Sequence, residues 1–248
     1  MLNDLMEVVK QEAIKQYPNE ACGVIISVGK KSVALPCKNI AETPQMHFMI
    51  DVGDYVEAAN KGEVVGVWHT HVNIPPTPSL ADKAGCNSSE LPWYIVSIHH
   101  GDQGFVFEGP TTIMPNDEEI SYLGRPYVSG IFDCFGLVRD FYKREYNIHI
   151  NNYPRVEQDG TKGSTFFGSR FKQEGFERLM NDEKPVRGDV FVLQLRDDHS
   201  NHLAIYLGDE IMMHHDLGRL SRREVYGGMW QKHTTHHLRH RDIKNGTH

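Results

Sequence analysis

Two histidines, a serine and an aspartate stand close together in the segment WHTHVNIPPTPSLAD, residues 68–82. A strand that ends in HTH points His69 and His71 to the same side, because side chains alternate along a strand. The proline-rich loop that follows is stiff, and it delivers Ser79 as a helix N-cap with Asp82 as the acidic member of a capping box. Two imidazoles and one carboxylate make a three-ligand zinc site that leaves a fourth position for water.

A site of this kind needs a group that accepts a proton from water, whose pKa a bound zinc ion lowers to about 7. Glu20, in the segment YPNEACGVI, is the candidate, because it stands at the predicted turn between the opening helix and the first strand. A simpler interpretation makes HTH a strand end with surface histidines and SLAD a helix cap only. The H-x-H pair alone is a weak signal, but its spacing from Ser79 and Asp82 favours the metal site.

A second set of reactive residues lies in the other half of the chain. In SGIFDCFGLVRDFY, Cys134 follows Asp133, a natural helix N-cap, so the thiol is expected in the first turn of a helix. The unpaired N–H groups and the helix dipole stabilise a thiolate there. In NHLAIYLGDEIMMHHD, His202 opens one strand and His214 closes the next, so a hairpin brings them close together. The pattern predicts a nucleophile, its base and a residue that fixes the tautomer of the base.

Two alternatives stay open for this second set. For Cys134 alone, a buried cysteine at a helix start is the simpler interpretation, and only the joint pattern favours catalysis. His215 competes with His214, because a one-residue slip of the strand exchanges adjacent side chains. The other three cysteines form no CxxC pair and are expected to be reduced and buried.

Hydrophobic periodicity predicts two regions of mixed structure, residues 1–112 and 113–248. In the first, it predicts helices at 2–16 and 54–61 and strands at 22–28, 32–36, 47–50, 64–69, 93–99 and 104–107. In the second, it predicts helices at 133–146 and near 169–180 and strands at 189–193, 202–207 and 211–214. The histidine- and arginine-rich tail, residues 233–248, has no clear period, and a solvated, poorly ordered end is expected.

Composition sets broad limits on what the chain does. Of its 248 residues, 39% are hydrophobic and 24% are charged, which is ordinary for a soluble globular protein. The net charge of -7 argues against bulk attraction to nucleic acid, so no nucleic-acid partner is expected. No apolar run approaches the ~20 residues that cross a bilayer. The N-terminus lacks a basic region and an apolar core, so no secretory signal is expected.

The glutamate and the HTHVNIPPTPSLAD segment together resemble the JAMM (Mov34/MPN) metalloprotease motif, over about residues 1–110. The resemblance implies a cytidine-deaminase-like α/β sandwich that binds Zn²⁺ and cleaves peptide or isopeptide bonds. Transferred by position, His69, His71 and Asp82 would be the zinc ligands. Glu20 would be the general base that returns the proton to the leaving amine, and Ser79 would steady the oxyanion.

Residues 120–230 resemble the NlpC/P60 family of papain-like cysteine peptidases, through GRPYVSG, DCFGLV, RGDVFVL and HLAIYLG…MMHH. The resemblance implies an α+β domain that cleaves peptide bonds in bacterial peptidoglycan, with Cys134 as nucleophile, His202 as base and His214 as the orienting residue. Tyr127, in the PYxxG segment, would help to shape the oxyanion region. The family usually has serine after the cysteine, and this chain has Phe135, which bears on substrate fit.

A JAMM domain followed by an NlpC/P60 domain resembles the tail assembly protein K family of long-tailed bacteriophages. This resemblance implies other phage tail-tip proteins as partners and peptidoglycan peptides as substrate. It implies assembly in the host cytoplasm, a place at the virion tail tip, and action in the host cell wall or periplasm during DNA entry. One alternative is a structural tail-tip adaptor that keeps peptidase folds as docking surfaces, and another is a cellular enzyme that processes small protein tags.

Overall fold

The first half of the chain folds around a five-stranded sheet. A computed structural model describes residues 2–116, 119–153, 170–180, 183–195 and 202–243, and divides the chain into the units Met1–Ile120 and Ser121–His248. The elements of the first unit are α1 (Leu2–Gln16), β1 (Cys22–Val28), β2 (Lys31–Cys37), α2 (Val52–Lys61), β3 (Glu63–Val72), α3 (Leu80–Ser89), β4 (Trp93–Gly101) and β5 (Gly104–Ile113). The strand order is β2-β1-β3-β4-β5, with only β3 and β4 parallel.

Helices cover both faces of this sheet, and β3 runs through its middle. Val9 of α1 packs with Trp68 on one face, whereas Cys86 of α3 packs with Val67 on the other. The helix α2 also packs on that second face. Because side chains alternate along a strand, the face that carries Val67 also carries both histidines of the HTH segment. The histidines therefore face α3, the helix that carries Asp82.

The second unit has a six-stranded antiparallel sheet. Its elements are α4 (Cys134–Tyr146), β6 (Phe176–Arg178), β7 (Val190–Leu193), β8 (His202–Gly208), β9 (Ile211–His214), β10 (Arg222–Val225), α5 (Met229–Lys232) and β11 (Thr234–His240). The strand order is β10-β9-β8-β7-β11-β6. One face packs Phe135 and Val138 of α4 against Leu203 and Ile205 of β8. The other face forms a smaller core around Trp230.

These two units confirm the predicted α/β and α+β fold classes, and several individual elements differ from prediction. The predicted strand at 47–50 is wrong: only an isolated bridge joins Ile50 to Asn39. The predicted helix near 169–180 is wrong in its second part, because residues 170–173 are helical and β6 follows at Phe176–Arg178; residue 169 lies outside the described residues. Among the described residues, no helix is both apolar and long enough to cross a membrane.

The expectation of a poorly ordered tail is wrong for residues 234–240. They form β11, which pairs with both β6 and β7. The reason is a buried ion cluster around Asp189, which is fully buried. Its Oδ2 lies 2.6 Å from His237 Nε2, and its carboxylate accepts hydrogen bonds from Arg239 at 2.7 and 2.8 Å. The histidine and arginine side chains of the tail thus supply partners for a buried carboxylate.

Candidate active sites

The first candidate site begins with two buried histidines in β3. His69 is fully buried and His71 is 4% exposed. Strand β3 is held on both sides, since His69 is opposite Cys22 of β1 and opposite Ile95 of β4. Phe48 stacks on the His69 ring with centroids 4.4 Å apart, and Trp93 meets that ring edge-on at 5.7 Å. These contacts leave the His69 imidazole little freedom to turn.

The capping box of α3 fixes the carboxylate that faces these histidines. The Ser79 hydroxyl accepts a hydrogen bond from the Asp82 backbone N–H at 3.1 Å, and Asp82 Oδ2 accepts one from the Ser79 N–H at 2.7 Å. Asp82 Oδ1 lies 3.3 Å from His69 Nε2, and Oδ2 lies 3.3 Å from His71 Nε2. One ligand atom from each of the three residues lies within 4.8 Å of the others, so the predicted set is brought together.

The donor set fits a metal ion. His71 Nδ1 lies 2.9 Å from the Pro75 carbonyl oxygen, so Nδ1 carries the proton and Nε2 keeps a lone pair towards Asp82. Both ring nitrogens of His69 are buried and make no hydrogen bond with any residue that the structure describes. A buried polar atom without a partner is costly. A cation between the three side chains would give His69 Nε2, the nitrogen that faces Asp82, a partner.

Glu20 lies beside this cluster because two hydrogen bonds join its neighbour Ala21 to Thr70 of β3. The Ala21 N–H donates to Thr70 Oγ1 at 2.8 Å, and the Thr70 N–H donates to the Ala21 carbonyl at 2.9 Å. Thr70 stands between the two histidines, so Glu20 is fixed next to them. Glu20 is 3% exposed, and its carboxyl interacts electrostatically with His71 and Asp82.

Burial and charge shift the pKa values of this site in opposite directions. Burial raises the pKa of Glu20 to about 8. Burial would also raise the pKa of Asp82, but the two imidazoles beside its carboxylate outweigh burial and hold that pKa below its usual value. Burial lowers the pKa of His69, whereas for His71 the contacts with Asp82 and Pro75 outweigh burial and raise it. The site therefore holds an ionised Asp82 beside a Glu20 carboxyl whose affinity for a proton is raised.

The second candidate site begins at the N-terminus of α4. Asp133 caps this helix: its carboxylate accepts hydrogen bonds from the N–H groups of Gly136 and Gly130, each at 2.7 Å. Cys134 is partly exposed, whereas the other three cysteines are buried. A Cβ at Gly136 would lie 2.1 Å from the Ile131 carbonyl oxygen, so the loop before the helix closes tightly over its first turn. Phe135 is 2% exposed and fills the core, away from solvent.

The β8–β9 hairpin brings its two histidines into contact. His202 Nε2 lies 2.9 Å from His214 Nδ1, and both rings are buried. Helix α4 packs on Leu203 and Ile205, beside His202 at the start of β8. His215 takes a different position, with Nε2 3.1 Å from the Arg219 carbonyl oxygen. The Tyr127 ring meets the His215 ring edge-on, with centroids 5.4 Å apart.

Two residues that the sequence analysis missed lie behind His214. Glu224 Oε1 is 3.6 Å from His214 Nε2, and Trp230 donates its indole N–H to Glu224 Oε2 at 2.9 Å. The Trp230 ring lies 4.7 Å from the His214 ring and 6.3 Å from the His202 ring, between centroids. Burial lowers the pKa of His214 to about 4, so this imidazole is neutral at neutral pH. Exposed and half-buried residues alternate along the RREV segment that contains Glu224, as in a strand. No local motif marks the contact of Glu224 with His214.

Comparison with known proteins places both candidate sites in recognised domains. Residues 3–107 match the model for prokaryotic homologs of the JAB domain, and residues 124–239 match the NlpC/P60 family model. The tail tip assembly protein K of Escherichia phage N15 is 34% identical over 247 residues, which cover 98% of this chain and 97% of that protein. The chain belongs to the tail tip assembly protein K family.

A second protein K, from Escherichia phage lambda, is 29% identical over 189 residues, which cover 76% of this chain and 87% of that relative. A crystal structure of an NlpC/P60 family protein from Bacillus cereus is 17% identical, with a TM-score of 0.33, and covers 93% of this chain and 66% of that one. The family predicted from the two motif sets is confirmed. Glu20 and the His69–Asp82 cluster lie in the JAB match, and the residues from Tyr127 to Trp230 lie in the NlpC/P60 match.

Proposed function

We propose that the protein acts at the phage tail tip and carries two hydrolase sites. The first is a zinc-dependent peptidase or isopeptidase, and the second is a cysteine endopeptidase that cleaves peptidoglycan stem peptides. The observation that supports the second activity best is the 2.9 Å contact between His202 and His214, beside a helix whose first residue is the partly exposed Cys134. The name of the N15 relative supports a place in tail tip assembly.

In the first site, His69, His71 and Asp82 would hold Zn²⁺. When bound, the ion supplies a Lewis acid that lowers the pKa of water and polarises a peptide carbonyl. Glu20 takes the proton at its carboxylate and returns it to the leaving amine, a role that suits a buried carboxyl with high proton affinity. Ser79 keeps its hydroxyl at the N-cap of α3, where it steadies Asp82 and is proposed to meet the oxyanion.

In the second site, Cys134 loses its proton to His202, and the helix N-terminus stabilises the thiolate. The sulfur attacks the peptide carbonyl carbon, and the amine leaves with the proton from His202. Water then attacks the thioester, gives its proton to His202 and releases the free thiol and the carboxylic acid. His214 orients His202 through the hydrogen bond between their rings. Tyr127 is proposed to line the oxyanion region through its contact with His215.

Other tail-tip proteins are the proposed partners, and peptidoglycan peptides are the proposed substrate. The protein would assemble in the host cytoplasm, remain at the virion tail tip, and act in the host cell wall or periplasm during DNA entry. In a structural adaptor that uses the peptidase fold only for docking, the Cys134 thiol would be unreactive. The reactivity of this thiol therefore separates the adaptor from the peptidase.

Digestion of purified sacculi tests the cysteine activity. We expect the wild-type protein to release muropeptides, identified by mass spectrometry, and Cys134→Ala to release none. Glu20→Gln is the matched control, because it alters only the first site and should digest sacculi at the wild-type rate. Equal digestion by wild type and Cys134→Ala would contradict the assignment. If the wild-type protein and both variants are folded and none of them digests sacculi, the result would favour the adaptor.

The pairing of thiol and imidazole is tested by alkylation. If His202 pairs with Cys134, His202→Ala raises the pH midpoint of Cys134 alkylation by iodoacetamide towards the ~8.5 of a free thiol. His149→Ala is the control, since His149 is exposed and follows the C-terminal end of α4, whereas Cys134 opens that helix. An unchanged midpoint in His202→Ala would remove His202 from the role of base.

A further inference from the structure

A carboxylate faces the ring nitrogen of His214 that points away from His202. His214 Nε2 is fully buried, and within the described part of the chain it makes no hydrogen bond that meets normal geometry. Glu224 Oε1 lies 3.6 Å from it. The position follows from strand register: Arg222 is directly opposite His214 and Glu224 is opposite Met212, so Glu224 lies diagonally across from His214 on the same sheet face.

Two donors hold this carboxylate in place. Trp230 donates its indole N–H to Glu224 Oε2 at 2.9 Å, and the Arg222 guanidinium donates to Oε1. The Trp230 ring also packs edge-on against the His214 ring and covers the two histidines. Glu224 is therefore a fixed charge, although 31% of its side chain is exposed.

The hydrogen bond between the two histidines has a fixed direction once His202 is protonated. When His202 has taken the thiol proton, both of its ring nitrogens carry hydrogen, so its Nε2 donates to His214 Nδ1. His214 Nδ1 must then be the acceptor, and the single proton of a neutral His214 must lie on Nε2. An Nε2–H points towards Glu224, which can only accept.

We propose that Glu224 is a positioning residue of the cysteine site: it keeps the His214 proton on Nε2, so that Nδ1 accepts a hydrogen bond from His202. Trp230 supports this role by holding the Glu224 carboxylate. The inference rests on the proposed roles of Cys134 and His202, but the tautomer of His214 is a property of the resting protein and is measured without substrate.

The charges around His214 are consistent with a neutral, oriented ring. Burial is the largest influence on its pKa and lowers it, and Arg222 acts in the same direction. Glu224 and Asp216 oppose this shift. Arg222 and Glu224 thus act on the charge of the ring in opposite directions, and Glu224 also offers Nε2 a hydrogen-bond acceptor.

Glu224→Gln tests the acceptor with little change of shape. If the new amide oxygen keeps the bond from Trp230, the amide N–H turns to His214 Nε2 and favours the tautomer with the proton on Nδ1. Such a ring cannot accept from His202. Glu177→Gln is the matched control, because Glu177 is an exposed carboxylate on β6, at the opposite edge of the same sheet.

The tautomer is read from the ring ¹⁵N chemical shifts of His214 in the full-length protein labelled at histidine. We expect the Nε2–H form in wild type and Glu177→Gln, and the Nδ1–H form in Glu224→Gln. In the same samples, the pH midpoint of Cys134 alkylation should rise by about one unit in Glu224→Gln, which is about a tenfold loss of rate below the midpoint. Trp230→Phe keeps an aromatic ring at this position but removes the indole N–H, and it should give a mixture of both His214 tautomers.

An Nε2–H tautomer that persists in both Glu224→Gln and Trp230→Phe would overturn the proposal. The same holds if the alkylation profile of Glu224→Gln superimposes on that of wild type. A tautomer change in Glu224→Gln, together with failure of the wild-type protein to digest sacculi, would instead retain the inference and reject peptidoglycan as substrate. If Glu224→Gln fails to fold, as judged by circular dichroism, the Trp230→Phe result decides.

Discussion

At the scale of single residues, the first site is a set of groups whose burial is costly unless a cation joins them. Both ring nitrogens of His69 are buried without a hydrogen-bond partner among the described residues, and Nε2 lies 3.3 Å from an ionised Asp82. A protein that binds a ligand only in the folded state is stabilised by that ligand. The stability of the first unit should therefore depend on zinc.

Thermal unfolding measures this dependence. We expect zinc to raise the unfolding temperature of the wild-type protein, with about 2.7 kcal/mol of stabilisation at a free concentration one hundred times the dissociation constant. His71→Ala should bind less than one zinc per chain and lose the shift. His100→Ala is the control, since that histidine is exposed at the end of β4 and lies outside the cluster. An equal shift in both variants would place the zinc elsewhere.

Local motifs made most of the site residues predictable. The HTH segment, the capping box and the Asp133–Cys134 helix start each specify geometry within a few residues, and the structure has all three. Glu224 was not predictable, because its contact depends on the register between β9 and β10. Phe48 was missed for the same reason: its loop contacts β3 only in the folded unit.

At the scale of elements, a glycine governs how α4 begins. The Ile131 carbonyl oxygen would be 2.1 Å from a Cβ at Gly136, and because that neighbour is backbone the loop has to move. We expect Gly136→Ala to destabilise the second unit by about 1–3 kcal/mol and to slow Cys134 alkylation. Gly227→Ala is the control, as its Cβ would meet only Val225 at 3.9 Å. Urea unfolding compares the two; equal stabilities would mean that the loop yields freely.

Periodicity predicted the long elements well and the short ones poorly. The strands β1 and β8 are strongly apolar, and their predicted bounds match closely. Strand β11 is rich in histidine and arginine, which are usually exposed, so its pattern gave no sign of burial. Its burial depends on Asp189, some fifty residues earlier in the chain, and no local pattern records that pairing.

This ion cluster makes the pairing of β7 and β11 sensitive to acid. Hydrogen bonds from Arg239 and His237 outweigh burial and lower the pKa of Asp189 below 3.8. A depressed folded pKa means that the stabilisation is complete above the unfolded pKa and is lost as the pH falls through the folded one. Asp189→Asn should cost about 3–5 kcal/mol at pH 7, since it leaves Arg239 buried without its charge partner.

The difference between wild type and Asp189→Asn should shrink steadily below about pH 4. Guanidinium titrations of both proteins from pH 7 to pH 2 measure it. Glu177→Gln again serves as the control, with a small and nearly constant effect. A difference that stays constant down to pH 2 would show that Asp189 is not the group that titrates.

At the scale of the whole molecule, each unit contains a complete candidate site with its own core. Glu20 and the zinc ligands lie in Met1–Ile120, and Cys134 with its histidines lies in Ser121–His248. The two chemistries also depend on different reagents, since one needs a metal and the other a free thiol. We therefore expect inhibition of the two sites to be independent.

Chelation and alkylation of the same full-length preparation measure this independence. A chelator should remove the zinc and leave sacculus digestion unchanged, whereas iodoacetamide should abolish digestion and leave the zinc content unchanged. Cys134→Ala should bind zinc as wild type does, and His71→Ala should digest sacculi as wild type does. The three buried cysteines are protected because burial raises the pKa of each thiol, so alkylation at low reagent concentration is confined to Cys134. Loss of digestion on chelation would show that the cysteine site needs the metal-bound unit, and the two sites would then have to be treated as one coupled enzyme.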